Sequence, residues 1–376
     1  GNDHNIGTGS TSSGIFAGES NIIDNTSDAT IIGGTDGLIS GSTTSYPNTS
    51  QASVIIGGLG IGANNKYILE SAASTLIGGL RSKIEYNDWC TVIGGQYGKI
   101  TNSYIIEMGG LSSEMNFIAG GSTNIIDGGR FDSIVGGGSN IIKYNVTYSG
   151  FSSGNFIGGG DGNTIDGHSN SVILGGTDNT IDFDGVSNNA IISGYENRIS
   201  GGGFDGIFVG SGNTIEGNPF LENDISNTMI GGSNNTIYSG RSSSIIGGED
   251  NILYNDTTTF IENSVISGGN NLTGTTNNTV YVPNLNIGTI GTGTSTNNLG
   301  IDVNGNVVTG ATGGGTFTGN TSGDCITDLY ITNLYGCSPI TIHDNIQSVG
   351  SSATGTTSFA FGNNTKAYGD YSHAEG

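Results

Sequence analysis

Between residues 5 and 275 the apolar positions come as adjacent pairs set among Gly, Asn, Ser and Thr, with neither long apolar runs nor a 3.6-residue period. Examples are Ile31-Ile32-Gly33-Gly34, Ile134-Val135-Gly136-Gly137 and Ile245-Ile246-Gly247-Gly248. An Asn-x-Ile-like string often follows the Gly pair, its Asn falling at 124, 140, 163, 179, 197, 213, 235, 251 and 271. The intervals are 16, 23, 16, 18, 16, 22, 16 and 20 residues, so a sixteen-residue unit is stretched in alternate copies by an insertion. Self-similarity at a fixed period marks a repeat architecture in which each unit contacts its neighbours. Two strands of ~5 residues joined by two tight corners account for one unit, because Gly supplies the positive φ of a corner and Asn tolerates it. The pattern predicts an all-β protein, a parallel β-solenoid (β-roll) with sixteen-residue rungs. Stacked at ~4.8 Å, roughly fifteen rungs form a rod about 70 Å long.

Neighbours along a strand point to opposite faces. Each Ile-Ile or Val-Ile pair therefore sends one side chain into the coil and one out. The interior is expected to hold roughly three or four apolar side chains per rung, and the outward members form an apolar stripe longer than soluble monomers usually expose. Burial of that stripe by a parallel homotrimer is the expected assembly, with one Ile or Val per rung, as within Ile245-Ile246, facing the axis.

Composition narrows the class. The chain has 376 residues with 70 Gly and 4 Pro, and only 11% are charged. Gly disfavours helix interiors by ~1 kcal/mol relative to Ala, and the absence of a Gly-X-Y triplet excludes collagen. Nine basic against 32 acidic residues, a net charge of −23, oppose a nucleic-acid footprint, which needs Lys and Arg. No stretch approaches the ~20 apolar residues of a membrane helix.

The last nineteen residues, SFAFGNNTKAYGDYSHAEG, place Ser358 and Ser372, Ala360 and Ala374, and Gly362 and Gly376 fourteen apart. This string resembles the YadA-like head repeat of trimeric autotransporter adhesins, also seen in phage fibre proteins. Residues 278–288 and 298–310 are similar to a segment of phage tail-fibre and other virion structural proteins. The resemblance implies a trimeric left-handed β-roll and a fibre that carries host-binding parts. Between the two repeat regions, Leu299–Val303 and Asn306–Thr309 flank Asn304-Gly305, a hairpin signal. The expected division is a solenoid shaft or head over 1–275, a hairpin-containing neck or connector over 276–350, and the start of YadA-like repeats over 351–376. The chain opens on Gly1 and closes on a repeat's final Gly, so a longer polypeptide is expected.

Candidate chemistry is sparse. Cys325 and Cys337 form a disulfide in an oxidising setting or stand as two reduced thiols in a thin core. Corner carboxylates such as Asp161, Asp182 and Asp184 offer at most incidental Ca²⁺ binding, so no cofactor and no catalytic or metal site is expected. The insertions after Asn140, Asn213 and Asn251 all follow the second apolar run of a unit and so are expected to leave the coil at one corner. They and their neighbourhood carry Tyr46, Trp89, Tyr144, Tyr148, Phe151, Phe220, Tyr254 and Phe260, which either contact a host-surface glycan or protein or pack on adjoining rungs. The expected role is non-enzymatic: a trimeric fibre protein on a phage-like virion, joined to other fibre or tail components. The same architecture on a bacterial surface as a trimeric adhesin is the alternative, and a tailspike polysaccharide hydrolase the third.

Overall fold

The computed structural model describes residues 3–41, 51–60, 66–101, 113–143, 153–167, 169–182, 188–217, 226–254, 259–283, 299–301, 307–309, 346–347, 352–354, 356 and 358–376. Two compact units divide the chain, Gly1–Ile287 and Gly288–Gly376.

The first unit is a parallel β-solenoid built from two fifteen-stranded sheets. The first sheet runs from Asn5–Ile6 to Thr273–Gly274, and the second from Gly14–Ile15 to Val280–Tyr281. The chain alternates between them, so each strand pairs with strands one rung before and after, as Ile126 pairs with Ile100 and Ile142.

Each sixteen-residue rung is two copies of an eight-residue motif. Ser233-Asn234-Asn235-Thr236-Ile237-Tyr238-Ser239-Gly240 makes the first-sheet half, and Arg241-Ser242-Ser243-Ser244-Ile245-Ile246-Gly247-Gly248 the second. In both halves the second and seventh residues are left-handed, with φ of 52° and 51° at Asn234 and Ser239 and 53° and 69° at Ser242 and Gly247. The third residue points inward and is polar, and the fifth points inward and is apolar. The interior thus holds one Ile-type side chain per strand, for instance Ile237 facing Ile245, fewer than the pairing of apolar residues predicts. The remaining inward positions are filled mostly by amides and hydroxyls.

Those amides explain the repeated Asn. Asn163, Asn179 and Asn197 are fully buried, and each side-chain oxygen accepts the backbone N–H of the next Asn at 3.1 Å. Each side-chain amide in turn donates to a Gly carbonyl of the following rung, Asn179 Nδ2 to Gly194 O at 3.0 Å. A buried amide with its donors and acceptor satisfied is stabilising, whereas an unsatisfied one costs ~1–3 kcal/mol. The ladder closes where Asn251 Oδ1 accepts the N–H of Leu272, so Leu272 and not Asn271 holds the next slot. In the last rung Tyr281 packs against the core, and its hydroxyl accepts the N–H groups of Thr275 and Thr276.

The second unit contains an antiparallel pair, Leu299–Ile301 with Val307–Thr309, as the Asn-Gly signal predicts. It also contains a short parallel coil in which Ser352–Ala353 pairs with Lys366–Ala367 and Phe359–Phe361 with His373–Glu375. The partners are fourteen residues apart, and Ala353, Ala360 and Ala367 form its core.

Candidate interaction surface

The two sheets have different outer faces. The first-sheet face is ionic: Arg198 makes a bidentate contact with Asp182 across one rung, Lys143 pairs with Asp166 at 2.8 Å, and Glu85 receives Lys83 and Lys99 at 3.7 and 3.8 Å. Tyr67 donates to Glu85 at 2.5 Å, and burial together with that carboxylate pushes its hydroxyl pKa upward. The second-sheet face carries no charged outward side chain among the described residues. Its outward column runs in register through Ile32, Ile56, Ile77, Ile93, Ala119 and Val135, and later through Ile230 and Ile246. Ile32, Ile93, Val135, Ile230 and Ile246 are each 40–46% exposed. Between Phe204 and Phe208, over Gly206 and Ala190, the same face holds a shallow cleft of about 280 Å³.

Two corners border this face. The one preceding each second-sheet strand is left-handed at its second position, where Asp28, Asn170, Asn188 and Ser226 sit comfortably. On three successive rungs the same position holds Trp89, Met115 and Phe131, with φ of 52°, 56° and 58° and exposures of 54%, 52% and 54%. A left-handed L-residue costs ~1–2 kcal/mol without a polar side chain to compensate, and here it presents large apolar groups to solvent. Trp89 therefore belongs to a regular corner, flanked by the strand Asn87–Asp88, rather than to an insertion. Sequence reading did not single out Met115 and Phe131, because the signal, a bulky residue in the second slot, needs the eight-residue motif.

The other corner follows each second-sheet strand; most rungs carry a Gly pair there, with Ala17, Ser193 and Val209 in the first position on three others, and the two members of the pair differ. A Cβ on Gly95 would lie 2.8 Å from Gly121 O, so the second Gly is dictated by rung stacking. A Cβ on Gly94 would meet nothing within 4 Å.

Of the remaining predicted contact residues, Tyr254 points outward in register with Tyr238 and is 42% exposed. Phe260 packs its ring 3.9 Å from the Arg241 guanidinium, which also pairs with Glu262 at 2.9 Å, so this ring covers an adjoining rung. Tyr46, Tyr144, Tyr148, Phe151 and Phe220 lie outside the described residues, as do Cys325 and Cys337. The segments 42–50, 102–112, 144–152, 183–187, 218–225 and 255–258 follow first-sheet strands in sequence, and 61–65 follows a second-sheet strand.

Besides Asp205, which accepts the N–H of Asn227 at 2.8 Å and lines the cleft on the second sheet, two buried ionisable groups occupy inward polar slots. Lys66, fully buried, stands where the ladder has Asn; its ammonium donates to Ile56 O at 3.4 Å and to Gly57 O, and burial lowers its pKa to about 8. Asp132 accepts the N–H of Asn155 at 2.8 Å through one oxygen while the other is buried without a partner, and burial raises its pKa to about 7. Neither opens to a cleft. Among the described residues no three His, Cys, Asp or Glu side chains gather as a metal site, and no helix is long and apolar enough to cross a membrane. No family model matches the chain and no curated protein matches its sequence.

Proposed function

We propose that this chain is a structural fibre protein of a phage-like virion, a rigid homotrimeric rod that projects host-binding parts. The observation that carries the reading is the uncharged, in-register apolar column along the second sheet, beside a first sheet whose outer face is ionic. A soluble protein does not ordinarily leave such a column in water, and parallel copies cover it rung against rung. Stiffness comes from continuous backbone ladders and the buried Asn stack, and the titratable groups on the first-sheet face pair along the rod instead of converging. A non-enzymatic role follows, with a host-surface glycan or protein met by the segments inserted after first-sheet strands. The fourteen-residue coil at 352–376 also supports the second reading, a bacterial trimeric surface adhesin.

The experiment has two readouts. Light scattering should give a trimer for the chain and a monomer with unchanged far-UV circular dichroism for Ile230→Lys/Ile246→Lys. A trimer unmoved by both lysines overturns the assigned face. Immunogold labelling should then decorate purified virions; label confined to the bacterial envelope transfers the role to the adhesin.

A further inference from the structure

We infer that in this trimer the apolar corner of one copy, Trp89, Met115 and Phe131, seats against the bare Gly corner of the next, beside Gly94, Gly120 and Gly136. The inference rests on the trimeric reading and specifies its contact. A cyclic trimer uses two different patches on each chain, one for each neighbour. If the second sheet faces the axis, those patches are the sheet's two corners. One corner offers large apolar side chains, each more than half exposed on successive rungs. On the same rungs, at Gly94, Gly120 and Gly136, the other offers no side chain.

The absence of side chains there is not imposed by the rung. The seventh position of first-sheet halves has the same left-handed backbone, yet it holds Asn25, Glu70 and Tyr86 at φ of 50°, 47° and 55°. At Gly94, Gly120 and Gly136 the space a Cβ would take is open, with nothing within 4 Å. Glycine kept where the chain itself leaves room is the signature of close approach by another body. The pairs also match in height: Trp89 and Gly94 flank Thr91–Ile93, Met115 and Gly120 flank Phe117–Ala119, and Phe131 and Gly136 flank Ser133–Val135. Parallel copies at one level therefore bring Met115 to the Gly120 corner of the neighbour.

The area at stake is modest. At about 150 Å² or more per large side chain, the exposed fractions of the five column and three corner side chains amount to roughly 600 Å² per copy, which a cyclic trimer divides between two neighbours.

The test is a bismaleimide cross-link between Met115→Cys and Ser122→Cys introduced together, with Cys325 and Cys337 changed to Ser throughout. Ser122 is exposed and two residues past Gly120. The double variant should give a covalent trimer on a denaturing gel, and neither single variant nor Met115→Cys with Asp166→Cys should. Independently, Gly120→Asn should leave the circular dichroism unchanged and weaken trimer association at least tenfold. A trimer by light scattering that fails to cross-link, or that tolerates Gly120→Asn, overturns the corner contact and leaves the trimer standing. A parent chain that is monomeric overturns both.

Discussion

Lys66 supplies the sharpest test of how the interior is built. The preceding first-sheet strand has Gly37 in the polar inward slot, with Asn21 Oδ1 accepting its N–H at 2.9 Å, so the Asn stack is interrupted there. Lys66 fills the next slot and reaches the carbonyls of Ile56 and Gly57 with its ammonium. Burial lowers its pKa from 10.5 to about 8. Between those values the unfolded chain holds a proton that the folded chain has lost. Stability therefore rises with pH across the window 8 to 10.5 and is lowest below pH 8, where the ammonium is charged in both states. The ceiling is about 1.4 kcal/mol per pH unit, or at most about 3 kcal/mol in all. Lys66→Asn restores the amide and removes the titration. Urea unfolding of parent and variant, at one protein concentration because association adds to stability, should show the variant's advantage shrinking steadily from pH 7.5 to 10.5. Taking the difference between the two cancels the tyrosines that titrate in the same range. A difference independent of pH would refute the buried, uncompensated ammonium.

Asp132 should behave with the opposite sign. Its raised pKa means that stability is lost as pH climbs from about 4 to 7, so Asp132→Asn should gain little at pH 4 and at most about 4 kcal/mol at pH 8 in the same unfolding assay. Asn179→Leu strands the N–H of Asn197, while the Gly194 carbonyl keeps the N–H of Thr177 at 2.9 Å, and should cost about 1–3 kcal/mol, with faster amide exchange at Asn197 than at rungs two or more away. Deleting 145–151 or 255–258 should leave thermal unfolding unchanged within a few degrees, because lengthening a surface loop adds little closure entropy. Extending the second deletion to 262 removes Ile261, which is fully buried and pairs with Gly240, and should cost ~2–5 kcal/mol.

The rung, its length and its parallel stacking are legible because they are written as repetition. Gly and Asn must recur wherever a corner recurs, and a sixteen-residue interval leaves room for little but two strands. The filling of the interior is less legible. Ile237 and Tyr238 look like any apolar pair, yet Ile237 is inward and Tyr238 outward, and within its rung Ile237 shares the interior with Ile245, the amide of Asn235 and the hydroxyl of Ser243. Nothing in a sequence distinguishes an Asn that turns a corner from an Asn that lies inside it. Asn234 and Asn235 are adjacent and do one each, the first left-handed at the corner, the second fully buried in the stack. The error at Asn271 has the same origin, since it is a left-handed corner residue one position ahead of the inward Leu272.

The eight-residue motif turns the differences between the two halves of a rung into evidence. Most halves meet the same backbone demands: a left-handed second residue, commonly a left-handed seventh, an inward third that is usually polar and an inward apolar fifth. Whatever distinguishes them is therefore not required by the coil. First-sheet halves place Asp182, Arg198 and Glu216 outward, and most of the long segments follow them. Second-sheet halves place uncharged, largely apolar residues outward, and most close on glycine even where a side chain would fit, as at Gly94. A freely solvated rod would gain from polar residues at Ile32, Ile93 and Ile246 and from Asn at Gly94, at no cost to its interior. Apolar side chains along much of one face and bare backbone at most of its Gly-pair corners, while the other face carries the ions, are the features that the proposed burial against parallel copies would preserve.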